Sequence, residues 1–430
     1  MKAGRQGGQG KVGMEKIRVA SVIKRLHIGG DETRLLSLAS HLDHERFEHL
    51  VVVIQRVDEH GDRQAEQMLN ALQEAVDVVI LDRNIVSVTA TPAPVTAGPV
   101  RRIQDFGSAG RVMQSLVRTF RAFRPDVVDG RLNFGTVFGL AAGRITRAPV
   151  VVSTGYFPEH WRRPRLMEPV GQLAMSQVDA FITDAGATID AFERWRWSRR
   201  ARMVMIPNGV PAATTTRTPM EMRSYFGLPD DPRTRVVGSV CRMIEGKGYP
   251  TLIRAARRIL DEEQNVAFLF CGYAEDPKFR DKLIRLAREV GIADKAEFVS
   301  YPGPVGDVLA ALDIYVRASV EDSSPIGVHE AMSVGLPIVV TRVGGVAELV
   351  EDDTTALLVP PNDPEAVARA VLRLCRDHDL VTRLGENGMA RYRARHTPDQ
   401  MARAHEDLFV DLLESKRAAR RPKRSRSSLL

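Results

Sequence analysis

Residues Ala318 to Val350 read ASVEDSSPIGVHEAMSVGLPIVVTRVGGVAELV. The stretch opens with an acidic, hydroxyl-rich loop, Glu321 to Ser324. Pro325, preceded by serines, is a helix-start signal, and Gly335-Leu336-Pro337 is a stop signal, so a helix is predicted from Pro325 to about Val334. An apolar strand, Ile338–Val340, and a glycine turn, Gly344-Gly345, follow. The helix is small and apolar and should lie against a sheet. Its one ionised residue in mid-course is Glu330, one to two turns from the start at about 1.5 Å per residue. A helix mouth offers free N–H groups and the positive end of the dipole, which suit a phosphate. Carboxylates beside it suit hydroxyl groups. Those are the two needs of a nucleotide-sugar site, although a plain strand–helix unit with a surface Glu has the same local features.

The rest of the chain repeats the strand–helix alternation that implies parallel sheets. Ile17–Ile23 is a first buried strand, followed by Gly29-Gly30 and a helix from Asp31, which suits an N-cap, to about Leu42. The spacing G-x-G-x-x-G is absent there, so a nicotinamide cofactor is not expected. Strands are predicted at Phe47–Ile54, Asp77–Leu81, Asp126–Val128, Val150–Ser153, Val178–Thr183 and Arg202–Ile206, with a long helix from about Ile103 to Phe123. Residues 86–100 are rich in Pro, Ala and Thr and read as a long loop. A second series follows at Val236–Val240, Val266–Cys271, Ala296–Val299, Ile314–Val316 and Ile338–Val340. Helices from residue 363 finish the chain.

At 430 residues the chain exceeds what one core usually serves. We expect a flexible leader over 1–13, a first domain over 14–210, a linker over 211–220 (PAATTTRTPM), a second domain over 221–397, a helix over 398–415 crossing back to the first domain, and a basic disordered tail over 416–430. That tail holds seven Lys and Arg and no acid, so it accounts for the whole formal net charge of +7. The body is not generically basic, and nucleic acid is not an expected partner. No apolar run approaches a transmembrane length, and the N-terminus lacks the apolar core of a secretory signal. Cys241, Cys271 and Cys375 are few and odd in number, which argues for a reducing compartment and against a metal or disulfide framework. Asp377-His378-Asp379 has a D-x-D spacing, but it lies between two helices, where Asp commonly caps.

Gly238 to Gly248 reads GSVCRMIEGKG. Ligands in such folds bind outside the carboxyl ends of the strands, and Arg242 and Lys247 on that loop could clamp a diphosphate or simply be solvated. Taken together, these motifs resemble the retaining glycosyltransferases of family 4. Asp322 and Glu330 fit the E-x7-E signature, with Asp in place of the usual first Glu. Glu330-Ala331-Met332, Gly335, Pro337 and Val339 fit its continuation. Arg242 and Lys247 fall on the cations of G-R-x-x-x-x-K-G, with Cys241 in place of the usual Gly. GGDETRLLSLASHL resembles the GG-x-E loop, AFLFCGY the strand and glycine under the nucleotide, and Pro207-Asn208-Gly209-Val210 the I-P-N-G-V turn.

The resemblance implies the α/β fold class called GT-B: two Rossmann-like domains with parallel sheets facing a central cleft. It implies transfer of a sugar from a UDP-, GDP- or ADP-sugar with retention of configuration and no metal or other cofactor. In that reading Arg242 and Lys247 stabilise the leaving diphosphate and Glu330 binds the ribose. Asp322 and the backbone of Ser324, Pro325, Ile326 and Gly327 orient the sugar, Gly29, Gly30 and Gly272 let the backbone approach the donor, and Phe298 to Pro302 lie near the base. Relatives carry a His after the fifth strand; here Tyr156 takes its place and His160 follows. Either could face the sugar or acceptor. The acceptor would be a saccharide or a lipid-linked molecule. The setting would be cytoplasmic, with the basic tail and the Arg194–Arg202 cluster offering a peripheral contact to an anionic membrane. Alternatives are a nucleotide-sugar epimerase of the same fold and a catalytically idle nucleotide-sugar-binding subunit.

Overall fold

The structure is a computed structural model that describes residues 15–26, 29–55, 63–82, 99–155, 176–193, 201–274 and 276–420. It contains two sheets. The first has β1 (Ile17–Ile23), β2 (Phe47–Gln55), β3 (Asp77–Asp82), β4 (Val127–Arg131), β5 (Val150–Thr154), β6 (Ala180–Thr183) and β7 (Arg202–Met205), in the order β3-β2-β1-β4-β5-β6-β7. The second has β8 (Arg235–Val240), β9 (Val266–Cys271), β10 (Ala296–Val299), β11 (Ile314–Arg317), β12 (Ile338–Thr341) and β13 (Leu357–Val359), in the order β10-β9-β8-β11-β12-β13. Every pairing of the second sheet is parallel, as are β1–β2, β1–β4, β2–β3 and β6–β7. Each sheet is therefore Rossmann-like. The strand order turns back at β1/β4 and at β8/β11, the switch points where such sheets open a crevice for ligands.

The chain divides into two compact units, residues 1–27, 42–153 and 408–430 in one and 28–41 and 154–407 in the other. The second sheet is covered on both faces, so its strands are continuous apolar runs; all six residues of β9 are buried. Ile253, Ile259, Val371 and Leu384 pack on one face. Met222, Leu309, Met332 and Tyr392 pack on the other.

Several boundaries differ from those read in the sequence. Asp31 is not an N-cap: the helix is Gly30–His41 and Asp31 lies in its first turn. The long helix starts earlier, at Pro99. β13 was not foreseen; at three residues it is held by its pairing with β12 rather than by any periodicity of its own. The end of the expected linker is already structured. Thr218 caps the helix Pro219–Tyr225 in a reciprocal box with Glu221. Asp307 accepts hydrogen bonds from the backbone of Thr216 and Arg217 and from the Thr216 hydroxyl. The last helix, Pro398–Arg420, runs five residues into the stretch expected to be an unfolded tail; residues 421–430 lie outside the described residues, as do 86–98 of the predicted loop. Asp377 caps the helix His378–Arg395 through its side chain, as its position between helices implied. Among the described residues, no helix is long and apolar enough to cross a membrane.

Candidate active site

The site is built at the carboxyl edge of the second sheet, where the segments leaving β8, β9 and β11 meet the helix Ile326–Ser333. Glycine makes the meeting possible. A Cβ on Gly272, just past β9, would stand 1.7 Å from the Cys241 carbonyl oxygen. Gly248 has a φ of +74°, and a Cβ there would stand 1.7 Å from the Ala318 carbonyl oxygen. A Cβ on Gly327 would stand 2.5 Å from the Tyr315 hydroxyl and 2.9 Å from the Val240 carbonyl oxygen, so the helix start is pressed against the end of β8. Backbone bonds join the loops: Cys241 N–H to Cys271 O at 3.0 Å, Met243 N–H to Tyr273 O at 2.8 Å and Val320 N–H to Gly246 O at 2.8 Å. The Tyr249 hydroxyl donates to the Cys241 carbonyl at 2.8 Å.

Pro325 is the N-cap of the helix rather than its first residue, and no side chain caps this end. Proline can leave it so because it offers no side-chain acceptor. Val328, Ala331 and Met332 turn into the core. Glu330 is half-buried on the same helix. Burial pushes its carboxyl up to about 7, with the Arg317 charge opposing. Gly30 comes to this helix too: a Cβ on it would lie 3.7 Å from Ile326 Cγ1. Gly29 serves locally, its carbonyl accepting from Thr33 N–H at 3.1 Å.

Arg242 is exposed at the end of β8, and Lys247 is half-buried on the same loop. The Lys247 ammonium stands 3.1 Å from Asp322 Oδ2. That oxygen also accepts from Arg317 Nη2 at 2.7 Å, Arg317 Nε at 3.2 Å and the Ser319 hydroxyl at 2.8 Å. Burial would raise the Asp322 carboxyl, but Arg317 and Lys247 outweigh it and hold the group below the usual carboxylate range.

Two further residues, Asp184 and Asn208, brace the loop before the helix. Ser323 donates from its hydroxyl to Asp184 Oδ1 at 2.7 Å. Asn208 Nδ2 donates to Asp184 Oδ2 and to the Ser324 carbonyl, both at 3.2 Å. Glu348 accepts from the N–H groups of Gly186 and Ala187 at 2.6 and 2.7 Å, at the start of the helix Gly186–Glu193. Gly344, at a φ of +46°, lets the glycine turn reach the loop, since a Cβ there would stand 2.1 Å from the Asp322 carbonyl oxygen.

Arg317, Asp184 and Glu348 escaped the sequence reading. The signal for Arg317 was present: a charged residue closing an apolar strand, IYVR, five residues before an acid. Asp184 and Glu348 carried none, because their partners are distant in sequence. Of the stretch expected near a base, Phe298 is a core residue whose carbonyl accepts from Arg280 at 2.8 Å, and the Tyr301 hydroxyl donates to Asp307 at 2.7 Å. Tyr156, His160 and residues 194–200 lie outside the described residues. Among the described residues no cluster of His, Cys, Asp and Glu has metal-ligand geometry.

Two family models match the chain: Glycosyltransferase Family 4 over residues 28–214 and Glycosyl transferases group 1 over 234–377. The chain belongs to the family 4, group 1 glycosyltransferases. Among curated relatives, it is 30% identical over 222 residues to the lipopolysaccharide core biosynthesis glycosyltransferase LpsE of Rhizobium meliloti, covering 51% of this chain and 59% of that one. It is 27% identical to a D-inositol 3-phosphate glycosyltransferase of Corynebacterium urealyticum, covering 57% and 61%. The chain thus spans about half the length of these curated relatives, between 41% and 61% for the first five. The 2-deoxystreptamine glucosyltransferase of Streptomyces kanamyceticus is matched over 88% of its length at 24% identity, with 75% of this chain covered. The glycosyltransferase fold is shared with Anabaena HepE, solved with UDP-glucose: TM-score 0.73, 19% identity, 92% of this chain and all of that one. It is also shared with WaaG, a glycosyltransferase involved in lipopolysaccharide biosynthesis: TM-score 0.65, 15% identity, 91% and 99% covered.

Proposed function

We propose that the chain transfers a sugar from a nucleotide-diphosphate donor to a hydroxyl of a saccharide or lipid-linked acceptor, with retention and without a metal. The observation that carries this reading is the pairing, at one sheet edge, of a helix mouth with no side-chain cap and the cation loop of Arg242 and Lys247. N–H groups and cations together neutralise a diphosphate and stabilise it as it leaves. Glu330 accepts hydrogen bonds from the ribose hydroxyls. Asp322 uses its remaining oxygen, and Ser324, Pro325, Ile326 and Gly327 their backbone, to orient the sugar. Gly29, Gly30 and Gly272 let the backbone approach the donor. Retention follows if the leaving phosphate takes the acceptor proton on the face it departs from, so that no protein nucleophile is needed. UDP-sugars are the first donors to try because HepE was solved with UDP and UDP-glucose; GDP- and ADP-sugars follow.

A thermal-shift screen of UDP-, GDP- and ADP-sugars tests the reading, repeated with EDTA. Stabilisation by one nucleotide series, unchanged by EDTA, is expected. Loss of that stabilisation on chelation, restored by magnesium or manganese, overturns the metal-free part. An epimerase would convert the donor with no acceptor present, and an idle subunit would bind without turnover.

A further inference from the structure

Arg317 is the last residue of β11 and is 5% exposed. A guanidinium in that position loses its hydration, which is costly unless charge and hydrogen bonds replace it. Here the compensating charge is a single carboxylate oxygen, with the Ser319 hydroxyl beside it. Asp322 Oδ2 takes two hydrogen bonds from Arg317 and one from Ser319, and Arg317 Nε also donates to the Ser319 hydroxyl at 2.8 Å. Three of the four donors on that oxygen thus come from the strand end, which is rigid. The fourth is Lys247, on a four-carbon stem with much rotamer freedom to lose. The stiff partner sets where the flexible one stands. The backbone of the loop is tied down on either side of Lys247, by Val320 N–H on the Gly246 carbonyl at 2.8 Å and by the close approach of Gly248 to Ala318, so what Asp322 has to fix is the ammonium at the end of the stem.

We infer that Arg317 is a positioning residue for the diphosphate clamp, acting through Asp322 to fix the Lys247 ammonium at the mouth of the helix Ile326–Ser333. The inference rests on the donor-site reading above. It makes Arg317 necessary for recognising the second phosphate and unnecessary for recognising the nucleoside. A residue that merely compensated the buried Asp322 charge would make no such distinction.

The experiment is titration of UDP and UMP into wild type, Arg317→Met, Arg317→Lys and the charge-balanced double variant Arg317→Met/Asp322→Asn, with GDP/GMP and ADP/AMP run in parallel and a melting curve for each protein. The expected result is a drop of about tenfold in the UDP-to-UMP affinity ratio for Arg317→Met, the size of one lost charge-assisted contact. Partial recovery is expected in Arg317→Lys. The double variant is expected to melt like wild type and still show the lowered ratio, which keeps the test open if Arg317→Met does not fold. A wild-type ratio in Arg317→Met, including a parallel loss of UDP and UMP, overturns the inference, and so does a wild-type ratio in the double variant. Failure of the wild type to bind any of the diphosphates overturns the donor-site reading itself, a different outcome from either of these.

Discussion

Glu330 stands two turns or less from an open helix mouth, with a carboxyl that burial pushes up to about 7 against the pull of Arg317. Near neutrality it is part protonated, and in the role proposed for it, accepting from the ribose hydroxyls, it has to be ionised. Affinity for plain UDP should therefore rise as the pH rises from about 6 to about 8, and Glu330→Gln should be weaker and nearly flat over that range. A lost charge-assisted hydrogen bond costs roughly 1.5–3 kcal/mol, or about tenfold to a hundredfold in affinity. Calorimetric titration at three pH values decides it; a pH-independent wild type would remove Glu330 from the nucleotide contact. Asp322 plays a different part. With its Oδ2 committed to Arg317, Ser319 and Lys247, it is already ionised well below neutrality and adds nothing to this pH dependence.

At the scale of elements, backbone contact governs the site edge. Gly272→Ala would drive a Cβ into the Cys241 carbonyl, a main-chain group that has no rotamer to yield, and should cost about 1–3 kcal/mol or more. Gly110→Ala, in the helix Pro99–Phe123 with nothing within 4 Å, should instead stabilise by roughly 0.5–1 kcal/mol. Melting curves of the two variants should move in opposite directions. The helix Ile326–Ser333 is also bound to an acid-sensitive contact. His329 and His396 meet edge to face at 4.9 Å, and burial lowers them to about 4 and about 3. The Pro325 carbonyl and Asp184 oppose the shift at His329, while His329, Arg391 and Arg395 add to it at His396. Both lowered values mean that unfolding takes up protons below the unfolded value of 6.5, so stability held above that pH is lost on acidification. Buried His49, lowered to about 3, takes up a third proton, while Glu330, raised from 4.5 to about 7, works the other way and cancels one of the three between about 4.5 and about 6.5. The net uptake of two protons costs about 2.7 kcal/mol per pH unit in that window. Urea unfolding at several pH values should show this slope, and Glu330→Gln should raise it by about half.

For the whole molecule, charge is concentrated at the C-terminal end. The helix Pro398–Arg420 already carries Lys416, Arg417 and Arg420, and four more cations follow in the sequence. On an anionic surface each basic residue contributes about 1 kcal/mol, reduced by salt. The full chain should therefore sediment with anionic vesicles at low salt, and a truncation after Ser415 should not. Binding by the truncation equal to that of the full chain would transfer the role to the Arg194–Arg202 cluster, whose Trp195 and Trp197 alternate with arginine. No sedimentation of the full chain would remove the membrane from the account.

The sequence by itself determined the two sheets and the family. Parallel strands buried on both faces must be continuous apolar runs, and helix ends must carry Pro, Gly or a capping side chain, so Ile17–Ile23, Val266–Cys271 and the helix before Gly335 are visible to a one-dimensional reading. Arg242, Lys247, Asp322 and Glu330 were visible for a related reason, since each stands at a fixed distance from such a signal. Tertiary structure alone decided what these residues touch. Asp322 meets a lysine 75 positions away and an arginine hidden at the end of a strand, Asn208 reaches Ser324 across 116 positions, and three-residue β13 exists because β12 lies beside it. Such contacts are set by strand order and by how closely glycine lets two backbones approach, and a chain read in order contains neither distance.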